Sequence, residues 1–320
     1  MAGIKALELL SPGIMTTVQD LGRYGYGRYG VAPSGALDTF ALRVANLLVD
    51  NSENQACLET LLMGPVIRVL IDVTIAITGG DLQPKRNRQP VEMWRAHLFK
   101  KDDLLTFGNA VKGFRAYIAV SGGIDVPRVM DSRSTNLPSG FGGYLGRSLK
   151  KGDILLAGDR AQRPINGILP IFKPDWIPQY SGQYKLRVIT GPQDDHFPQS
   201  SLQKFFHATY TMSQDSDRTG IRLEGPEIMC RQDIDASIIS EGLISGSIQI
   251  PGDGKPIIIL GETVSGGYRK IATIISADLP LLGQIKPGDG IVFEGVSLDE
   301  AHRALQAAQG RIDDFKHTIS

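Results

Sequence analysis

Short apolar runs punctuated by glycine and proline constrain this chain more than any other feature. Its 320 residues include 37 Gly and 18 Pro, and these fall between β-branched segments rather than in a G-X-Y repeat. Such spacing leaves little room for long helices and predicts many tight turns between strands. Strands are expected at Val73 to Thr78, Phe114 to Val120, Asp153 to Ala157, Tyr184 to Thr190, Pro256 to Leu260, Lys270 to Ser276 and Gly290 to Glu294. The segment SIQIPGDGKPIIIL adds a hairpin, because Pro251 to Lys255 supplies turn chemistry between two apolar runs.

Helices are few. Leu37, Phe40, Ala41, Val44 and Leu48 form one apolar stripe at the 3.6 period, with Ser34 as the expected cap. Ser297 and Glu300 stand at capping-box spacing before Ala301, Leu305, Ala308, Ile312 and Phe315. A shorter helical turn is expected near Ser201 to His207.

The stretch from Gly158 to Gly182 holds four prolines and little periodicity, so it reads as a linker. Two β lobes follow: residues 1–180, with the linker from about 158, and residues 181–320, ending in a helix. Three polar turns each lead through an Asp into an apolar strand: Lys101 to Leu105, Lys151 to Leu155 and Pro287 to Ile291. They read as one repeated turn solution, with duplication of a domain as the alternative.

Lys plus Arg and Asp plus Glu are both 34, so no chain-wide field recruits nucleic acid or an anionic membrane. Cys57 and Cys230 match no zinc or disulfide spacing, which fits a reducing cytosol, and no metal site is expected. The N-terminus carries no signal-peptide pattern and no run of apolar residues is of membrane-spanning length, so a cytoplasmic protein is expected. GDGKP at 252–256 lacks the phosphate-loop ending and sits in a hairpin; HExxH, GxSxG and a post-strand GxGxxG are absent. There is no biotin-attachment turn, so no covalent biotin is expected on this chain.

Four glycine-rich polar clusters remain. The first holds Asp20 and Arg23 in TTVQDLGR, then Ser34 and Asp38 in PSGALD; a structural Asp–Arg pair and a ligand site are both open readings. The second runs from Ser121-Gly122-Gly123 through Arg133-Ser134-Thr135 to Arg147, the materials of an anion nest or of a loop pinned by arginines. The third joins Asp217, Arg218 and Arg222 to Ser240-Glu241-Gly242 and Gln249, a binding set or a surface ion-pair network. The fourth, Ser265 to Lys270, places Tyr268 beside Lys270 as a binding lip or a plain turn.

In order, the motifs SPG.MTTVQDLGR, SGALD, LET.L.GP, SGGIDVP, SRST, SDR.GIRLEGP, IQ.PGDG.PI and GGY.KIAT.ISADLPLLGQ resemble the KipA-like family over about residues 7 to 296. That family includes the C-type subunit of the bacterial ATP-dependent 5-oxoprolinase and the allophanate-hydrolase-subunit-2-like half of the urea carboxylase carboxyltransferase domain. Gly80 stands where the family usually has Ala, and Arg269 where it commonly has Pro. The resemblance implies two cyclophilin-like β-barrel lobes, and two partners: a KipI-like and a LamB/YcsF-like subunit. It also implies the conversion of 5-oxo-L-proline, ATP and water into L-glutamate, ADP and phosphate, with ATP, with or without Mg, bound in the assembled complex.

Activating a lactam through phosphorylation demands charge stabilisation of phosphoryl oxygens. On that implication Arg23, Arg147, Arg218 and Arg222 are candidate anion contacts, with Ser34, Arg133 and Tyr268 as further binding residues. Asp20, Asp38, Asp217 and Glu241 are candidate orienting or proton-transfer carboxylates, and Lys270 and Gln249 would hold a carbonyl or carboxylate. Two alternatives follow from the same family: a regulatory protein that binds a KipI-like inhibitor of a sporulation histidine kinase, or a carboxyltransferase working with a biotinylated partner chain.

Overall fold

The computed structural model describes residues 3–158, 161, 169–231, 233–234 and 237–319. Residues 159, 160 and 162–168 of the expected linker lie outside them. The chain groups into two units: Met1–Tyr24, Ser34–Gln179 and Ile312–Ser320 in the first, Gly25–Pro33 and Tyr180–Arg311 in the second. A division at residue 180 alone is therefore amended at two short segments. The end of the C-terminal helix groups with the first unit because Ile312 and Phe315 are buried apolar side chains, and Phe315 packs edge-on against Phe172 at 4.9 Å.

The first unit contains strands β1 (Ile4–Ser11), β2 (Met15–Gln19), β3 (Cys57–Leu61), β4 (Val66–Val69), β5 (Val73–Asp81), β6 (Lys85–Arg86), β7 (Gln89–Pro90), β8 (Ala96–Phe99), β9 (Leu104–Thr106), β10 (Lys112–Val120) and β11 (Ile154–Ala157). They form a six-stranded sheet in the order β11-β1-β4-β9-β6-β7 and a five-stranded sheet in the order β2-β3-β10-β5-β8. One core fills the space between them, with Leu7, Leu9, Ile67 and Leu155 from the first sheet and Val18, Leu58, Ile75 and Ile118 from the other. Burying each such side chain contributes about 1.5–3 kcal/mol, before the cost of ordering the chain.

Helix α1 (Thr39–Leu48) packs on β5 and β10 and buries Phe40, Ala41, Val44 and Leu48 of the expected stripe, while Leu37 lies before its cap and is half-buried. Its cap is Asp38, not Ser34: the Asp38 carboxylate accepts the Ala41 N–H at 2.8 Å. Ser34 lies four residues earlier with φ 55°, outside the reach of the first helical turn.

The second unit contains β12 (Gln183–Thr190), β13 (Tyr210–Met212), β14 (Gly220–Glu224), β15 (Glu241–Gly242), β16 (Ser247–Ile250), β17 (Ile257–Ile259), β18 (Ser265–Gly266), β19 (Arg269–Ile274) and β20 (Gly290–Gly295), with α2 (Gln199–His207) and the part of α3 (Leu298–Ile319) that runs up to Arg311. Seven strands close into a barrel, β12-β19-β16-β17-β14-β13-β20, and β15 and β18 make a separate two-stranded ribbon. The expected hairpin is β16–β17, with Ile248 opposite Ile258. Phe205 of α2 stacks on Phe293 at 4.5 Å. At the start of α3 the Ser297 N–H and hydroxyl both donate to Glu300 at 2.8 Å, closing the capping box.

The three Asp turns share one construction. Asp102, Gly152 and Gly288 take positive φ (70°, 89° and 91°), and the next residue, Asp103, Asp153 or Asp289, accepts the N–H of the Lys three residues before it. In each, two backbone bonds clamp one residue of a neighbouring strand: Val69, Leu9 and Met212 respectively. The Asp is then the device that turns the chain into β9, β11 and β20.

Candidate functional site

In the first unit the polar clusters around Asp20 and around 132–147 come together. Asp20 follows β2 and is only 3% exposed. Its Oδ1 accepts from the Gly22 N–H at 2.8 Å, Ser132 Oγ at 2.6 Å and Ser134 Oγ at 2.5 Å, and its Oδ2 from the Arg133 N–H at 2.6 Å. The chain itself thus supplies four donors to this one carboxylate, three on Oδ1 and one on Oδ2. Arg23 is buried and donates to the Ser134 carbonyl, while its guanidinium lies 4.8 Å from the Phe141 ring. Gly142 (φ 68°) makes that stacking possible, since a Cβ there would collide with the Ser134 carbonyl oxygen and sit 2.8 Å from Arg23 Nη2.

The neighbouring residues are held in similar fashion. Asn136 donates to Ser34 Oγ at 3.1 Å. Arg133 donates from Nε to the Val126 carbonyl at 2.9 Å and approaches Asp125 at 3.5 Å. Arg147 makes a bidentate pair with Asp153 at 2.8 and 2.9 Å, which spends its planar fork within the Asp turn. Asp38 caps α1, and its N–H donates to the Tyr117 hydroxyl at 2.8 Å. Tyr117 in turn donates to Glu59 at 2.7 Å. Burial, and then the Glu59 charge, push the Tyr117 hydroxyl well above the usual phenol range.

The second unit presents a different pattern. The register sets Arg222 of β14 beside Ile257 of β17, Ile257 beside Gln249 of β16, and Gln249 beside Lys270 of β19. Three residues singled out from sequence thus stand in one row across the barrel, spaced about 4.8 Å per strand. The Arg222 end is exposed and opens on a cavity of about 210 Å³ lined by Asp215, Glu224 and Lys255 among others. The Gln249–Lys270 end is covered by the β15–β18 ribbon. Gln249 donates to the Tyr268 carbonyl at 3.1 Å, and a Cβ on Gly266 would come within 2.9 Å of Gln249 Nε2.

Lys270 is the centre of this end. Its side chain is 8% exposed and its ammonium contacts Glu241, whose side chain is 41% exposed. Gln193, in the loop after β12, ties the pair together: its Nε2 donates to Glu241 Oε1 at 2.8 Å and its Oε1 accepts the Lys270 N–H at 3.1 Å. The hydrogen bond from Lys270 holds the Glu241 carboxyl below the usual carboxylate range. A fixed ammonium beside an accessible carboxylate can steady a developing negative charge and exchange a proton with a bound molecule.

Arg218 and Asp217 are placed elsewhere in the third cluster. Asp217 accepts the N–H groups of Thr219 (2.7 Å) and Gly220 (3.1 Å), shaping the turn into β14. Arg218 is buried and donates to Glu262 at 3.2 Å, whose side chain is fully buried. Tyr268 is exposed at 43% next to Lys270. Among the described residues no group of three or more His, Cys, Asp or Glu side chains gathers to hold a metal ion, and no helix is long and apolar enough to cross a membrane.

Four residues central to these networks are not among the candidate site residues read from sequence: Glu59, which lies in the LET motif, Tyr117, Gln193 and Glu262. Glu59 and Tyr117 each interrupt an apolar strand, CLETL and GFRAYIAV, which is the available signal for a buried polar pair. Gln193 and Glu262 carry none, since their partners lie 77 and 44 residues away.

The carboxyltransferase-domain family model, subdomain A and B, matches residues 29–295. The chain is 37% identical to the C-type subunit of 5-oxoprolinase from Escherichia coli (strain K12) across 95% of both chains, and 32% identical to the Haemophilus influenzae protein of the same name across 98% of both. Among solved structures, urea amidolyase of K. lactis superposes with a TM-score of 0.92 at 32% identity. That match covers 98% of this chain and 20% of the larger one.

Proposed function

The chain belongs to the family of carboxyltransferase domains with subdomains A and B, and from that premise we propose that it serves as the C-type subunit of an ATP-dependent 5-oxoprolinase. In this reading it opens 5-oxo-L-proline to L-glutamate in the cytoplasm, together with a KipI-like and a LamB/YcsF-like subunit. The observation that carries the reading is two-way coverage: the 5-oxoprolinase relatives are matched along 95% and 98% of their own length, the urea amidolyase structure along only 20%.

5-Oxoproline offers a carboxylate and a lactam carbonyl as handles. The row of Gln249 and Lys270 suits one of them, with Lys270 steadying the oxygen on which charge develops and Glu241 passing a proton. Arg222 lies further along the same row with an exposed side chain.

The ATP of the implied reaction does not fit three of the four arginines expected to receive phosphoryl oxygens. Arg147 is committed to Asp153, Arg218 to Glu262, and Arg23 to the Ser134 carbonyl. ATP is therefore assigned to the assembled complex rather than to these residues. The test is to combine the purified chain with its KipI-like and LamB/YcsF-like partners and measure ATP-dependent glutamate release. Turnover that requires all three supports the reading; a complex that forms without turnover refutes it and favours a regulatory binding role.

A second reading is favoured by the 0.92 TM-score to urea amidolyase and by the carboxyltransferase family model itself. It assigns carboxyl transfer from a biotinylated carrier on another chain. Transfer from carboxylated biotin to a urea-like amide, with no glutamate formed from 5-oxoproline, would select it.

A further inference from the structure

We infer that the cavity beside Arg222 is a binding site for an α-amino acid with a basic side chain. The inference goes beyond the 5-oxoprolinase reading and does not depend on it, since 5-oxoproline has no ammonium group and L-glutamate carries the opposite net charge.

The cavity, of about 210 Å³, lies between the loop that precedes β14 and the turn of the β16–β17 hairpin, all within the second unit. Pockets that take drug-sized molecules measure roughly 300–1,000 Å³, so this one suits a smaller guest. Both walls are held by the backbone. The Ser213 N–H donates to the Arg222 carbonyl at 2.9 Å and the Arg222 N–H donates to Ser216 Oγ at 3.0 Å, which fixes the Asp215 loop against β14. Asp253 Oδ1 accepts the Lys255 N–H at 3.1 Å, which fixes the hairpin turn.

The charges lining this space do not cancel. Arg222, Lys255, Asp215, Glu224 and Asp253 all line it. Lys255 pairs with Glu224 at 2.6 Å, so those two neutralise each other. Among the described residues neither Arg222 nor Asp215 has an ion-pair partner, and the Asp253 carboxylate receives a backbone N–H but no cation within pairing distance. The remainder is one guanidinium and two carboxylates.

That remainder has a chemical complement: one carboxylate and two ammonium groups on a short stem. The planar guanidinium fork takes the carboxylate with two parallel hydrogen bonds. Asp215 and Asp253 accept the ammonium groups, and Pro256 and Ile257 offer apolar surface to the methylenes between them. A phosphate or nucleotide would meet three carboxylates for two cations, and is disfavoured by the same count. A bare metal ion is not the guest, because the acids do not gather closely enough to hold one.

The experiment titrates L-lysine into the full-length, nitrogen-labelled chain near neutral pH, at ionic strength held constant with sodium chloride, and follows the backbone amide resonances. Expected are saturable shifts at Asp215, Arg222 and Asp253. Norleucine, which lacks the second ammonium, and cadaverine, which lacks the carboxylate, should each bind about fivefold more weakly, the upper end of what an exposed ion pair contributes. Arg222→Gln and Asp215→Asn should each weaken L-lysine by a similar factor, and Arg222→Gln should leave cadaverine unaffected. Absence of saturable L-lysine shifts at these amides overturns the inference. So does cadaverine or inorganic phosphate binding as tightly as L-lysine, or an unchanged L-lysine affinity in Arg222→Gln.

Discussion

Asp20 in the first unit and Glu241 in the second resemble each other in sequence, each an acid next to a glycine turn, yet the fold treats them in opposite ways. Asp20 is buried and receives four donors, two backbone N–H groups and two serine hydroxyls that lie 112 and 114 residues away in the chain. Glu241 keeps 41% of its side chain exposed and leans on one ammonium and one amide. A buried carboxylate gripped by four donors is a rivet; an exposed one beside a fixed cation is open to act as a reagent. Acid type and glycine context thus locate polar structure, while the number of unfilled hydrogen-bond positions decides whether chemistry is available there.

The largest effect is expected at the rivet. Asp20→Ala would leave Ser132, Ser134 and two backbone N–H groups without their acceptor in a buried site, and should cost about 3–5 kcal/mol in urea unfolding. Arg218→Ala should cost a similar amount by stranding Glu262, whereas Arg218→Met combined with Glu262→Leu should restore most of the loss; the same unfolding midpoints check it. Asp38→Ala removes the α1 cap and should cost about 1 kcal/mol, read as a lower melting temperature.

The smallest effect lies at Glu241. Its folded carboxyl titrates below its unfolded value because Lys270 donates to it. Its contribution to stability is therefore complete above the ordinary carboxylate range and disappears as pH falls through the lowered folded value. Because the group is substantially exposed, the contribution should stay under about 1 kcal/mol. Unfolding measured for the native chain and Glu241→Gln from neutral to acidic pH should show a gap that closes on acidification.

Much of this architecture is legible in the chain. The β16–β17 hairpin, the Ser297–Glu300 capping box and the strand runs are local signals, set by turn chemistry and side-chain period, and the structure reproduces them. The repeated Asp turns are visible as a spacing, and their shared clamp on Leu9, Val69 and Met212 gives that spacing its reason. Pairing at a distance stays hidden. Nothing near Arg218 announces Glu262, and nothing near Lys270 announces Gln193. Ser34 suits the cap of α1 by residue type, but Asp38 stands at the position whose side chain reaches the free N–H of Ala41.

The division between a structural knot around Asp20 and a proposed working pair at Lys270–Glu241 stands or falls on Lys270→Met, tested in the complex proposed above with KipI-like and LamB/YcsF-like subunits. The variant should fold and assemble like the native chain, with ATP-dependent glutamate release reduced by about 10²-fold, the scale of losing one charge-stabilising group. Undiminished glutamate release from a correctly assembled Lys270→Met complex would contradict it.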